Sequence, residues 1–207
     1  TTDAEPWALH STVSSALFSP GVTVSGTNVI PIPPPTLTVI INEILADPAS
    51  GTAGDANGDG IRSSSQDEFV ELANVSSDPV DLTGWKLGDD EAVNFTFPDG
   101  YMMAPRSFLV VFGGGDVTGV DGYDADPLVT RVFSADSTVG NGLANGGEII
   151  LLHSADGSYD TWLAYGSMAA TGGPPNADNY QIQIDVGAAA NADNSITRFP
   201  DGNVNIL

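Results

Sequence analysis

At 207 residues with 41% hydrophobic side chains, the chain can form one fair-sized domain with an appended arm, or two small domains. Five basic residues face 27 acidic ones, 21 of them Asp, for a formal net charge of −22. That charge excludes nucleic acid and anionic lipid as partners, since both need clustered cations. The absence of cysteine excludes disulfides, thiolate metal sites and thiol nucleophiles.

Self-repulsion of this size opposes folding unless something neutralises it, and divalent cations are the obvious candidate. No run of about 18 apolar residues occurs, so no membrane insertion is expected. The sequence opens at Thr1 without Met or an apolar leader, which reads as a mature secreted product acting outside the cell, at its surface or in its matrix.

In chain order, residues 1–35 come first and differ from the rest. They carry only Asp3 and Glu5 as acids, are rich in Ser, Thr and Val, and end in Pro31-Ile-Pro33-Pro34-Pro35. Such a proline run is a stiff spacer, so it divides an arm, 1–35, from a body, 36–207. Trp7, Leu9, Val13 and Leu17 alternate as in a strand, although Leu9, Val13, Ala16 and Leu17 also fit a helix; the β-rich composition favours strand. Val22-Thr-Val24 and Val29-Ile30 suggest a second strand. Two roles fit an apolar arm on a stiff spacer. One is an extra hairpin on its own body; the other is a strand donated to the sheet edge of a neighbouring copy.

Beyond residue 36, Gly and Pro recur at short intervals between β-branched and aromatic runs. The expected strands are Leu37–Leu45, Glu68–Asn74, Trp85–Leu87, Val93–Phe97, Ser107–Phe112, Leu128–Phe133, Glu148–His153, Asp160–Tyr165, Gln181–Val186 and Ser195–Phe199. Phe69, Glu71 and Ala73 alternate against Val70 and Leu72. Leu109 to Phe112 is unbroken apolar, as in a strand covered on both faces. Together these predict an all-β, antiparallel sandwich.

The chemistry concentrates in residues 55–68, Asp-Ala-Asn-Gly-Asp-Gly-Ile-Arg-Ser-Ser-Ser-Gln-Asp-Glu. Oxygen ligands at alternate positions, Asp55, Asn57 and Asp59, precede a Gly that allows a sharp turn. Calcium takes six to eight oxygens, and alternate residues of a tight turn converge on one point. By the same spacing the carbonyl of Ile61 follows. A helix–loop–helix hand then needs an acid at position 12, where Gln66 stands; Asp67 and Glu68 come one and two residues later, ahead of a strand. The expectation is therefore a calcium (Ca2+) loop closed by Asp67 or Glu68, outside a helical hand. The competing reading is a water-solvated Asx-rich turn.

An ordered series of motifs carries a family resemblance. Val39-Ile-Ile-Asn-Glu-Ile-Leu-Ala-Asp-Pro48, Asp67-Glu-Phe-Val-Glu-Leu72, Asp81-Leu-Thr-Gly-Trp85, Phe97-Pro-Asp-Gly100, Ala104-Pro105, Phe108-Leu-Val-Val-Phe112 and Ser195-Ile-Thr-Arg-Phe-Pro-Asp-Gly202 together resemble the bacterial branch of the lamin tail domain, over about residues 37–203. The resemblance implies an immunoglobulin-like antiparallel β-sandwich that serves association or adhesion, often within larger secreted proteins, with an Asp/Asn/Gly-rich insert before the DEFVEL strand. It leaves the arm uncovered and supplies no ligand, and it implies Trp85 in the core. With that fold, Asn42, Glu43 and Asp47 end the first strand near the loop. Glu43 is either a further calcium ligand or a salt-bridge partner, because an unpaired buried carboxylate is costly.

Weaker signals remain. Asp121, Asp124 and Asp126 could form a second calcium site or a solvated loop. The Asn-Ala-Asp-Asn repeats at 176–179 and 191–194 read as turns. His10 and His153 lack any nucleophile context, so no hydrolytic triad is expected, and abundant carboxylates alone do not make a glycosidase. Trp162 reads as half-buried. Asn74 and Asn94 match glycosylation sequons but overlap strands. The resulting expectation is a non-enzymatic, calcium-stabilised surface or matrix protein that associates into oligomers or filaments through its arm. The alternative is a monomeric adhesion module for another protein or a polysaccharide.

Overall fold

The computed structural model describes residues 38–157, 160–168, 182–186 and 195–197, all within one compact unit, Leu37–Leu207. The expected arm, His10 and both Asn-Ala-Asp-Asn repeats lie outside the described residues. Among the described residues no helix is long and apolar enough to cross a membrane.

One sheet contains β1 (Val39–Leu45), β2 (Phe69–Asn74), β7 (Phe108–Phe112), β8 (Val132–Ser134) and β12 (Ile196–Thr197), in the order β12-β1-β2-β7-β8. The other contains β4 (Lys86–Asp89), β5 (Phe95–Thr96), β9 (Ile149–His153), β10 (Asp160–Tyr165) and β11 (Ile182–Val186), in the order β11-β10-β9-β4-β5. A short ribbon pairs β3 (Val80–Asp81) with β6 (Met102–Met103). Alternation along the strands sends Ile41, Ile44, Val70, Leu72, Leu109 and Val111 from the first sheet against Leu87, Ile150, Leu152, Leu163 and Tyr165 from the second. This is the expected all-β sandwich, and burying these side chains drives its formation. Phe95, Phe97, Tyr101 and Phe133 add edge-on and stacked ring contacts at 4.9–5.9 Å between centroids.

The outer faces are also partly covered. Phe112, Val117 and Val132 pack outside the first sheet with Phe69, Val110 and Ala56, so β7 is apolar on both sides as its sequence indicates. Outside the second sheet, Ile149, Leu151, Trp162 and Ala164 form another cluster. Trp162 is therefore fully buried rather than half-buried, because β10 alternates between two covered faces. Trp85 is a core residue.

Several expectations need correction. Two pairings, β7 with β8 and β10 with β11, are parallel rather than antiparallel. The strand expected over Leu128–Phe133 forms only at Val132–Ser134. Upstream, the Asp126 carbonyl accepts the N–H groups of Val129 and Thr130, and its carboxylate accepts that of Leu128, which diverts the backbone into a turn. The strand expected over Val93–Phe97 shrinks to Phe95–Thr96. Ahead of it, Asp89 accepts the N–H groups of Glu91 and Ala92, and the Asn94 amide binds the carbonyls of Thr138 and Gly140. The strands β3 and β6, at two residues each, are too short for any periodicity to announce.

Candidate metal centre

The loop between β1 and β2 folds through two Asx turns, at Asn57 and Asp59, closed by a longer bond to Asp55. Asp55 Oδ2 accepts the N–H of Gly60 at 2.9 Å, Asn57 Oδ1 that of Asp59 at 3.0 Å, and Asp59 Oδ1 that of Ile61 at 2.7 Å. Each bond is short-range, so Asp, Asn and Gly at these positions specify the turn locally. Gly58 and Gly60 take φ of +74° and +87°, conformations that favour glycine.

Asp67 closes the loop. Its side chain is fully buried, with Oδ1 accepting the Asn57 N–H at 3.1 Å and Oδ2 the Ser63 N–H at 2.6 Å. Glu68, the next residue and the last before β2, binds elsewhere: its Oε2 accepts the N–H of Leu143 at 2.9 Å. The hydrogen bonds thus link Asn57 to Asp59 and Asp67, hold Asp55 to Gly60 in the same loop, and take Glu68 elsewhere. The Ile61 side chain is 69% exposed at the loop's tip. Glu43 sits on β1 opposite Glu71 and Thr197, and the hydrogen bonds that hold the loop do not run to it. Beside it the register slips between Ile41 and Glu43, and the bulged Asn42 donates to Glu71 Oε1 at 2.7 Å.

The fit to a hard cation rests on one atom. Asp55 Oδ1 is buried without a hydrogen-bond partner. An ionised oxygen in that position is costly unless a cation or donor meets it. Among the described residues no three Asp, Glu or His side chains form a ready-made cage. A cation at Asp55 would have to draw further oxygens from the Asn57 amide, Asp59, Asp67, backbone carbonyls and water, a mixed donor set that calcium accepts.

Sequence reasoning missed the loop's platform. The chain leaves β7 through Gly113-Gly114-Gly115, over which the loop lies directly. A Cβ on Gly113 would come within 1.9 Å of the Ser65 carbonyl oxygen, and one on Gly115 within 2.2 Å of Asn57 Nδ2. Asn57 donates to the Gly114 carbonyl at 3.1 Å, and Asp59 Oδ2 accepts the Asp116 N–H at 3.3 Å. Three successive glycines after an apolar strand are the available signal, since glycine in such a place marks close backbone approach. Arg62 ties the loop to the chain after β1 through the carbonyls of Ala49 and Pro48.

Beyond Glu68 the acids continue. Burial pushes the Glu68 carboxyl up to about 8, countered in part by the Leu143 N–H and reinforced by Asp47. Burial likewise raises Glu148 to about 7, with Asp90 and Asp89 adding to it. Burial raises the Tyr165 hydroxyl, and Glu148, Glu68 and Asp89 push it further. Asp89 is itself buried and accepts the Asn141 N–H at 2.6 Å. Asp124 and Asp126, of the weaker acidic stretch, form successive Asx turns to Asp126 and Leu128. His153 ends β9.

The family model for the Lamin Tail Domain matches residues 33–167. The closing Ser195–Gly202 motif lies past this match, yet β12 within it pairs with β1 at Glu43–Thr197 and Ile44–Ile196. No curated protein matches the sequence.

Proposed function

The chain belongs to the lamin tail domain family, and from that premise we propose that it is a secreted, non-catalytic structural module whose β1–β2 loop binds calcium. The family's immunoglobulin-like sandwich is a binding and structural module. The observation that carries the calcium reading is the buried, unpartnered Asp55 Oδ1, in a turn whose other carboxylate oxygens already accept N–H groups. Asp55, Asn57, Asp59 and Asp67 supply side-chain oxygens, and the Ile61 carbonyl is the fifth protein donor. Glu68 and Glu43 are a second rank, recruited only if their side chains turn. The role is structural: the ion ties β1, β2 and the Gly113–Gly115 platform into one unit and offsets part of the −22 charge.

Calorimetric titration of chelator-stripped protein tests this. Extracellular modules hold calcium at roughly 10⁻⁴–10⁻³ M. Wild type is expected to bind in that range with Asp55→Ala silent; no heat from wild type, or equal heat from both, contradicts the site.

The same reading includes self-association through residues 1–35. Its support is an alternating, nearly uncharged segment on a proline spacer, beside an acidic body. At β8 the outward-facing N–H and carbonyl of Val132 are both engaged by the Thr130 hydroxyl, at 3.2 and 2.9 Å. That engagement blunts β8 as an edge for a donated strand and favours another edge. The alternative, a monomeric adhesion module, predicts particles of one chain and binding on a glycan array.

A further inference from the structure

Next to the loop's platform, a cavity of about 320 Å³ opens between the Gly115–Thr118 segment and the Tyr123–Ser134 segment. Its volume is at the small end of ligand sites. Val117, Val132 and Phe133 form a largely apolar floor, and each is buried. Tyr123, Asp116 and Asp124 stand at its exposed rim, the tyrosine 36% exposed.

The rim's chemistry narrows the guest. Each carboxylate is fixed by a backbone N–H: Asp116 Oδ1 accepts from Thr118 at 3.0 Å, and Asp124 Oδ1 from Asp126 at 2.8 Å. Their remaining capacity is for accepting only, so a guest must bring donors. A neutral guest would desolvate two charges without compensating them, whereas a cation compensates both. Arg131 is the nearby cation. It is not part of the lining, and its guanidinium lies against Gly122, 3.2 Å from where a Cβ would stand. An amphipathic cation suits both layers, its aliphatic stem on the apolar floor and its head at the rim beside an aromatic face.

We infer that this cavity is a docking pocket for an arginine side chain of a basic partner protein. Arginine suits it better than lysine, because a planar fork of five donors serves a rim of acceptor oxygens and its flat face suits an aromatic ring. The whole chain's −22 charge would steer such a partner inward from a distance. The inference does not depend on whether the β1–β2 loop holds a cation.

The test uses amide chemical shifts of the full chain, recorded at 150 mM salt so that diffuse attraction is screened. The probes are acetyl-Ala-Arg-Ala-amide, its citrulline counterpart, which keeps the shape and loses the charge, and maltotriose. The arginine peptide is expected to shift Val117, Thr118, Tyr123 and Thr130. The citrulline peptide should bind at least tenfold more weakly, and Asp124→Asn, which retains the acceptor of its turn, should weaken the arginine peptide about tenfold at an unchanged melting midpoint. Equal binding of arginine and citrulline, shifts scattered over the surface, indifference to Asp124→Asn, or maltotriose binding here in place of arginine would each overturn the assignment.

Discussion

At the scale of single residues, the loop depends on atoms that a hydropathy plot cannot weigh. Gly115 combines φ of +77° with an approach to Asn57 that leaves no room for a methyl group. Gly115→Ala is expected to destabilise the fold by about 1–3 kcal/mol from backbone strain, and more where Asn57 cannot move aside. Urea unfolding checks this, and the same variant should lose calcium affinity because Asn57 and Asp59 both rest on that segment. Glu68 makes a pH prediction. Its folded value of about 8 lies above the ordinary 4.5, so the folded state holds the proton more tightly than the unfolded chain. By linkage, the contribution is fully present below pH 4.5 and is lost as pH rises to about 8. In chelator, wild type should therefore lose urea resistance between those values, and Glu68→Gln should lose less. An equal loss in both would show that Glu68 ionises without cost.

At the scale of elements, long alternating strands are legible and short ones are not. β2 and β10 by alternation, and β1, β7 and β9 by their β-branched or apolar runs, can be read within a residue or two. Leu128–Phe133 misleads because β-branched composition there is overridden by Asp126, whose two acceptor groups capture three N–H groups downstream. The Asx turns at Asn57 and Asp59 and the Asp55–Gly60 bond are readable because they span only two to five residues. What those turns rest on is unreadable, because Gly114 and Asp116 are 57 residues away. Choosing between Asp67 and Glu68 also requires the fold, since the Leu143 N–H that holds Glu68 is 75 residues away. Asn74 was legible only as a sequon. In the structure it is buried, donating to the carbonyls of Asp78, Met103 and Ala104 and accepting from Ser76, so it fastens the β3–β6 ribbon to β2. Asn74→Ala should cost about 1–3 kcal/mol, as measured by urea midpoint, by removing these buried hydrogen bonds, although Ser76 and Ser107 hydroxyls still reach the Asp78 and Ala104 carbonyls. For the arm, a chain lacking residues 1–35 is expected to stay monomeric by light scattering where the full chain assembles. Unchanged assembly of the shortened chain would remove the arm from the account.

At the scale of the whole molecule, the sandwich carries three of its acids in places where charge is costly. Asp67, Glu68 and Asp89 are buried, and the chain has only five cations to answer 27 acids. Calcium at the β1–β2 loop fits that imbalance better than surface ion pairs, which contribute little singly. The measurement that bears most directly on this is the calorimetric melting midpoint of wild type and Asp55→Ala at 150 mM salt, in 1 mM calcium and in chelator. For a site of about 10⁻⁴ M, calcium should add about 1.4 kcal/mol to wild type, a rise of roughly 3–6 °C. Asp55→Ala should melt at one temperature in both buffers. A wild-type midpoint indifferent to chelator, or a variant that responds as strongly as wild type, would contradict the account.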